Sequence, residues 1–119
     1  MILGFEEITA DLTEQEITLA LWIASRIKNN IGAQKAASNG KIAGAIKKEF
    51  NATISSARIR KMINYIRMHG LVPNLVASSK GYYVSRSAEE NRKYVYSLRQ
   101  RGHAIMALAQ ALEDQGKTL

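Results

Sequence analysis

Between Ser56 and Arg67 the chain sets arginine, lysine and asparagine side chains at helical intervals. On a wheel whose buried stripe is Ile59, Met62, Ile63 and Ile66, the opposite face presents Ala57, Lys61, Asn64 and Met68. Arg58 and Arg60 flank it, with Ser56 and Arg67 further round. Such residues recognise rather than catalyse. Arginine and asparagine make paired hydrogen bonds to guanine and adenine edges, lysine neutralises phosphate, and small residues at the start of the helix permit close approach to a groove. The same pattern also suits a basic helix face that is merely solvated.

Catalytic chemistry has less to stand on. His69 and His103 are the only histidines, they lie far apart in sequence, and neither has an acidic residue or cysteine at metal-ligand spacing. Gly40-Lys41-Ile42-Ala43-Gly44 has the wrong glycine and lysine order for a phosphate loop. Glu14, Glu16, Glu89 and Glu90 cluster where two helices begin, and the helix dipole accounts for them. The expectation is a non-enzyme with no cofactor, no metal and no evident small-molecule ligand.

The 119 residues carry a net charge of +7, unevenly spread. Residues 1–40 hold −2, residues 41–86 hold +8 and residues 87–119 hold +1. A basic excess confined to the middle third points to a polyanionic partner, double-stranded DNA being the one that suits the face just described. With no cysteine there is no disulfide framework or thiolate metal site, and a reducing compartment is the easier fit. The opening Met1-Ile2-Leu3-Gly4-Phe5-Glu6-Glu7 has acid where a secretion leader needs base, and the uncharged run from Ile17 to Ser25 is too short to span a bilayer. A soluble cytoplasmic protein is expected, with no membrane partner.

The elements that must position the basic face follow from periodicity and caps. Thr13-Glu14-Gln15-Glu16 is a capping box ahead of Ile17, Ala20, Leu21, Ala24 and Ile27, which predicts a first helix running to about Asn30. Residues 33–40 read as a connection, with Ser38 or Asn39 able to cap a second helix that buries Ile42, Ile46 and Phe50 and ends at Asn51. Ser55 caps the third helix, Ile54 and Ile59 form a hydrophobic staple, and Gly70 closes it. Leu75-Val76-Ala77, a turn at residues 78–81, and Tyr82-Tyr83-Val84 predict a hairpin. Tyr82 and Val84 should face the core and Tyr83 should point outward, where it and Lys80 at the turn could touch nucleic acid. An outward tyrosine can equally be a cross-strand packing partner. Lys41 and Lys47 on the second helix are candidates for backbone phosphate, although lysines near a helix end also favour its dipole.

From Ile54 to Val84 the chain resembles the winged helix-turn-helix of biotin-repressor-type regulators and small phage-encoded DNA-binding proteins. Ser55, Ile59, Ile63, Ile66, Arg67 and Gly70 match that family's helix pattern, and Gly81-Tyr82 with Val84 match its closing strand. The resemblance covers about a quarter of the chain. It implies a mainly α fold with a small β-hairpin, with residues 54–70 as recognition helix, 71–86 as wing and 1–86 as one winged-helix domain.

Ser87-Ala88-Glu89-Glu90 is a further capping box, opening a helix to about Gln115 in residues 87–119. Asn91, Leu98, Ile105 and Leu112 are seven apart, with Tyr94/Val95, Gly102 and Leu108/Ala109 between them. That pattern suits either a second copy, parallel or antiparallel, or packing back onto the first helix. The expected function is duplex DNA binding, as a transcription regulator or a phage DNA-metabolism accessory. The alternative is a protein-interaction module that docks a partner through the last helix.

Overall fold

A computed structural model describes residues 10–119. The acidic opening of the chain, weighed above against a secretion leader, lies outside them. The order is α1 (Glu14–Ile27), a short 3-10 turn (Ala33–Lys35), α2 (Asn39–Phe50), α3 (Ser56–Met68), β1 (Leu75–Ser78), β2 (Gly81–Val84) and α4 (Ala88–Gly116). The described chain is thus mainly helical, with one two-stranded antiparallel hairpin and a long final helix. No described helix is long and apolar enough to cross a membrane. The chain divides into two units, Met1–Arg86 and Ser87–Leu119.

Helix starts follow the caps in the sequence. Thr13 Oγ1 accepts from Glu16 N at 3.1 Å while Thr13 N donates to Glu16 Oε1 at 2.9 Å, closing the capping box. Ser38 and Ser55 each accept from the backbone N–H three residues on, at Lys41 and Arg58. The ends also have chemical causes. Asn51 caps α2 in the left-handed region at φ 53°. Gly70 takes φ 63° just past α3, letting Leu71 N donate back to Ile66 O at 3.0 Å. The first helix is shorter than expected, since it ends at Ile27 and Lys28 caps it.

The core of the first unit is built around α3, where Ile59, Met62, Ile63 and Ile66 are all 0 % exposed, the stripe the periodicity predicts. Ile42 and Ile46 of α2 meet it, as do Val72 and Leu75 ahead of and within the hairpin. Burying each such side chain contributes roughly 1.5–3 kcal/mol. Two expectations for the core require correction. The α1 stripe is Leu19, Ala20, Ile23, Ala24 and Ile27, whereas Ile17 is half-buried and Leu21 is exposed. Both sets have helical period, so periodicity alone did not fix which of the two adjacent stripes turns inward. Phe50 is likewise exposed, its ring meeting Trp22 edge-on with centroids 5.0 Å apart at the rim of the core.

The hairpin pairs Leu75 with Val84, Val76 with Tyr83, Ala77 with Tyr82 and Ser78 with Gly81, leaving Ser79 and Lys80 as a two-residue turn. Its second edge is covered by the connection between α1 and α2, a stretch without hydrophobic periodicity. Val84 N donates to Asn30 O at 2.8 Å, and Gly32 N donates to Val84 O at 2.9 Å. Ala37 and Tyr82 exchange both backbone hydrogen bonds at 2.9 Å. The residue before Tyr82 must be glycine, because at φ 126° a Cβ on Gly81 would lie 2.3 Å from the Ala37 carbonyl.

The second unit is one 29-residue helix, about 43 Å long at 1.5 Å per residue. Ser87 caps it, accepting from Glu90 N at 3.1 Å. None of its residues is buried.

Candidate nucleic-acid interface

The third helix is held on both flanks, and the holding defines what it presents. On the α1 flank, Arg58 Nε donates to Glu16 Oε2 at 2.7 Å and its Nη2 to Glu16 Oε1 at 2.6 Å, a two-pronged ion pair. The same guanidinium donates to the carbonyls of Ala10 at 2.8 Å and Asp11 at 3.0 Å. Only 12 % of the Arg58 side chain and 10 % of the Glu16 side chain are exposed. The hydrogen bond from Arg58 is the main reason the Glu16 carboxyl titrates at about 2 instead of 4.5, and it outweighs a burial cost that acts the other way.

On the hairpin flank, Arg67 Nε donates to Leu75 O at 3.0 Å, and its guanidinium carbon lies 5.7 Å from the centroid of the Tyr82 ring. Tyr82 in turn donates its hydroxyl proton to Asn39 Oδ1 at 2.7 Å, tying the hairpin to the start of α2. One arginine thus locks α3 to α1, and the other locks it to the hairpin.

Three expected contact residues are therefore reassigned. Arg58 and Arg67 were expected to read or neutralise nucleic acid, but their guanidinium groups are committed to internal partners. Their wheel positions are at the edges of the exposed face, where a long side chain reaches a neighbouring element as easily as solvent. Tyr83 is 7 % exposed and stands across from Val76 at 2 %, so it packs within the protein and does not point into solvent. The alternation was as expected, with Tyr82 and Val84 against the main core. What the sequence did not disclose is that the other face of the hairpin is buried too.

Between the two anchors, Ser56, Arg60 and Asn64 are exposed in consecutive turns of α3, with half-buried Lys61 beside them. This row is what the structure brings together from the expected set. It borders an open cleft whose walls include Leu12 and Ile17 near the start of α1 and Tyr65, Met68 and His69 at the end of α3. Met68 is 84 % exposed there, and His69 stacks on Tyr65 at a centroid distance of 4.1 Å, its Nδ1 2.9 Å from Tyr65 O. The stacking of residues four apart was available from the sequence as an i, i+4 aromatic pair. Lys80 is exposed at the tip of the hairpin.

The second-helix lysines sit elsewhere. Lys41 lines a separate cleft with Trp22, Arg26, Asn30 and Ile42, to which α3 contributes nothing. Lys47 is exposed in the last turn of α2, where it also favours the carbonyl end of the helix. Arg26, which lies over the Trp22 ring at 5.0 Å, was not singled out by sequence reading. No protein-family model, curated protein or solved structure matches the chain.

Proposed function

We propose that this chain binds duplex DNA as a winged helix-turn-helix protein of the biotin-repressor type, laying the outer row of α3 in the major groove. One observation carries the reading. Ser56, Arg60 and Asn64 are exposed in successive turns, with half-buried Lys61 beside them, on a helix fixed at both edges by Arg58 and Arg67. A rigid support of this kind lowers the entropy lost when side chains engage base edges. Arg60 would take a guanine edge, Asn64 an adenine edge, and Lys61 and Lys80 would take phosphate. Lys41 and Lys47 are proposed as backbone contacts of the preceding helix. A cytoplasmic transcription regulator or a phage DNA-metabolism accessory is the role such a reader would fill.

Selection from a pool of randomised duplexes tests the reading. Wild-type protein is expected to enrich a short motif, and Asn64→Ala to bind with relaxed preference at one position within it. A pool that emerges unenriched, or an identical motif for both proteins, contradicts the assignment. A second reading, docking of a protein partner through α4, is favoured by the apolar side chains exposed along that helix.

A further inference from the structure

A helix of 29 residues with no buried side chain has little to hold it in shape, because helical stability in proteins comes mainly from packing an apolar face. Helix α4 has such a face. Val95, Leu98, Gly102, Ile105, Ala109 and Leu112 alternate at three- and four-residue spacing, the heptad seam of a coiled coil. Val95, Leu98, Ile105 and Leu112 are 38, 43, 67 and 57 % exposed.

We propose that this seam pairs with the same seam of a second copy, and that the two helices run antiparallel about an axis passing between His103 and Ala104. The register follows from size. Turning one helix end for end about that point sets Val95 against Leu112 of the partner subunit, Leu98 against the partner's Ala109, and Gly102 against the partner's Ile105. Every small residue then meets a large one, which lets the backbones approach without voids. A parallel pair would set Gly102 against the partner's Gly102 and Ala109 against the partner's Ala109, leaving two gaps in the seam.

Charge favours the same direction. Arg92 and Glu113 both lie on one flank of the seam, three heptads apart. In an antiparallel pair each flank faces its own counterpart, so Arg92 meets the partner's Glu113, and the symmetry supplies this pair twice. In a parallel pair that flank faces the opposite one, where the side chain nearest Glu113 is the partner's Leu108. The overlap from Arg92 to Glu113 is about 33 Å long.

The chain has no cysteine, so single cysteines report the register cleanly in the full-length protein. Light scattering at micromolar concentration should give a dimer mass. Under mild oxidation a mixture of Leu98→Cys and Ala109→Cys chains should form the mixed disulfide. Leu98→Cys by itself should not cross-link, because its two copies would stand about 16 Å apart along the axis, beyond disulfide reach. Glu113→Arg should weaken dimerisation about fivefold, and adding Arg92→Glu should restore it. A monomer mass, rapid cross-linking of Leu98→Cys alone, or a charge swap without rescue overturns the proposal. All four positions are exposed, so an unchanged melting transition of the first unit separates these outcomes from misfolding.

Discussion

Helices α3 and α4 are both amphipathic, but they spend their apolar faces differently. In α3 four large side chains are fully enclosed and its flanking arginines are tied to neighbouring elements, so its outer row is a fixed surface. In α4 the apolar side chains at heptad spacing remain 38–67 % exposed within the chain. Amphipathicity alone therefore does not say whether a helix belongs to a core. The α3 stripe is enclosed by partners on both of its sides, in α1, α2 and the hairpin.

Emptying the α3 stripe should destabilise the fold far more than emptying the α4 stripe. Ile63→Ala should destabilise the first unit by about 4 kcal/mol, from lost burial plus the cavity left behind. Ile105→Ala should leave the same melting transition within about 0.5 kcal/mol. Comparable losses would mean that the two faces are equally enclosed.

The anchors of α3 come next. Arg58→Ala leaves Glu16 buried without its guanidinium and should cost about 3 kcal/mol in a denaturant titration. The pH dependence carries a definite sign. Glu16 titrates at about 2 in the folded chain and near 4.5 when free, so its contribution is fully present above 4.5 and drains away as pH falls toward 2. A shift of that size corresponds to about 3 kcal/mol of stability lost over that window. In Glu16→Gln this part of the acid-induced loss should be missing. An identical acid profile in the two proteins would show that the ion pair does not govern it.

Much of the scaffold was legible in the sequence, for reasons that differ by element. Thr13, Ser38, Ser55 and Ser87 act through hydrogen bonds three residues away, so local sequence names them as caps. The α3 stripe was legible because only one set of apolar positions in that helix has the right period. Helix α1, by contrast, is apolar on two adjacent stripes, and the choice between them depends on α3, a tertiary fact. The same limit explains the site. Arg58 and Arg60 are two residues apart and chemically identical, yet Arg58 turns toward a carboxylate 42 residues earlier in the chain while Arg60 remains exposed. No local pattern distinguishes them. Nor could periodicity show that the connection between α1 and α2 lies along β2, since its pairing is through backbone groups alone.

At the hairpin tip only a small change is expected. Lys80→Ala should leave stability within about 0.5 kcal/mol of wild type. It should also reduce the slope of logarithmic DNA affinity against logarithmic salt by about 1, the signature of one lost phosphate contact. An unchanged slope would remove the hairpin from the interface while leaving α3 in place.

The proposed DNA reader is the exposed row of α3, with its two flanking arginines serving the fold. A fluorescence-anisotropy titration of a selected duplex at fixed salt tests this most directly, using wild type, Arg60→Ala, Asn64→Ala and a control, Lys28→Ala. Lys28 is exposed at the end of α1, away from the row. Arg60→Ala and Asn64→Ala should each lose about 1–3 kcal/mol of binding, roughly 5- to 150-fold in Kd, with unchanged melting. Lys28→Ala should bind as wild type does. Equal losses in all three variants, or wild-type affinity in Arg60→Ala and Asn64→Ala, would remove this row from the DNA interface.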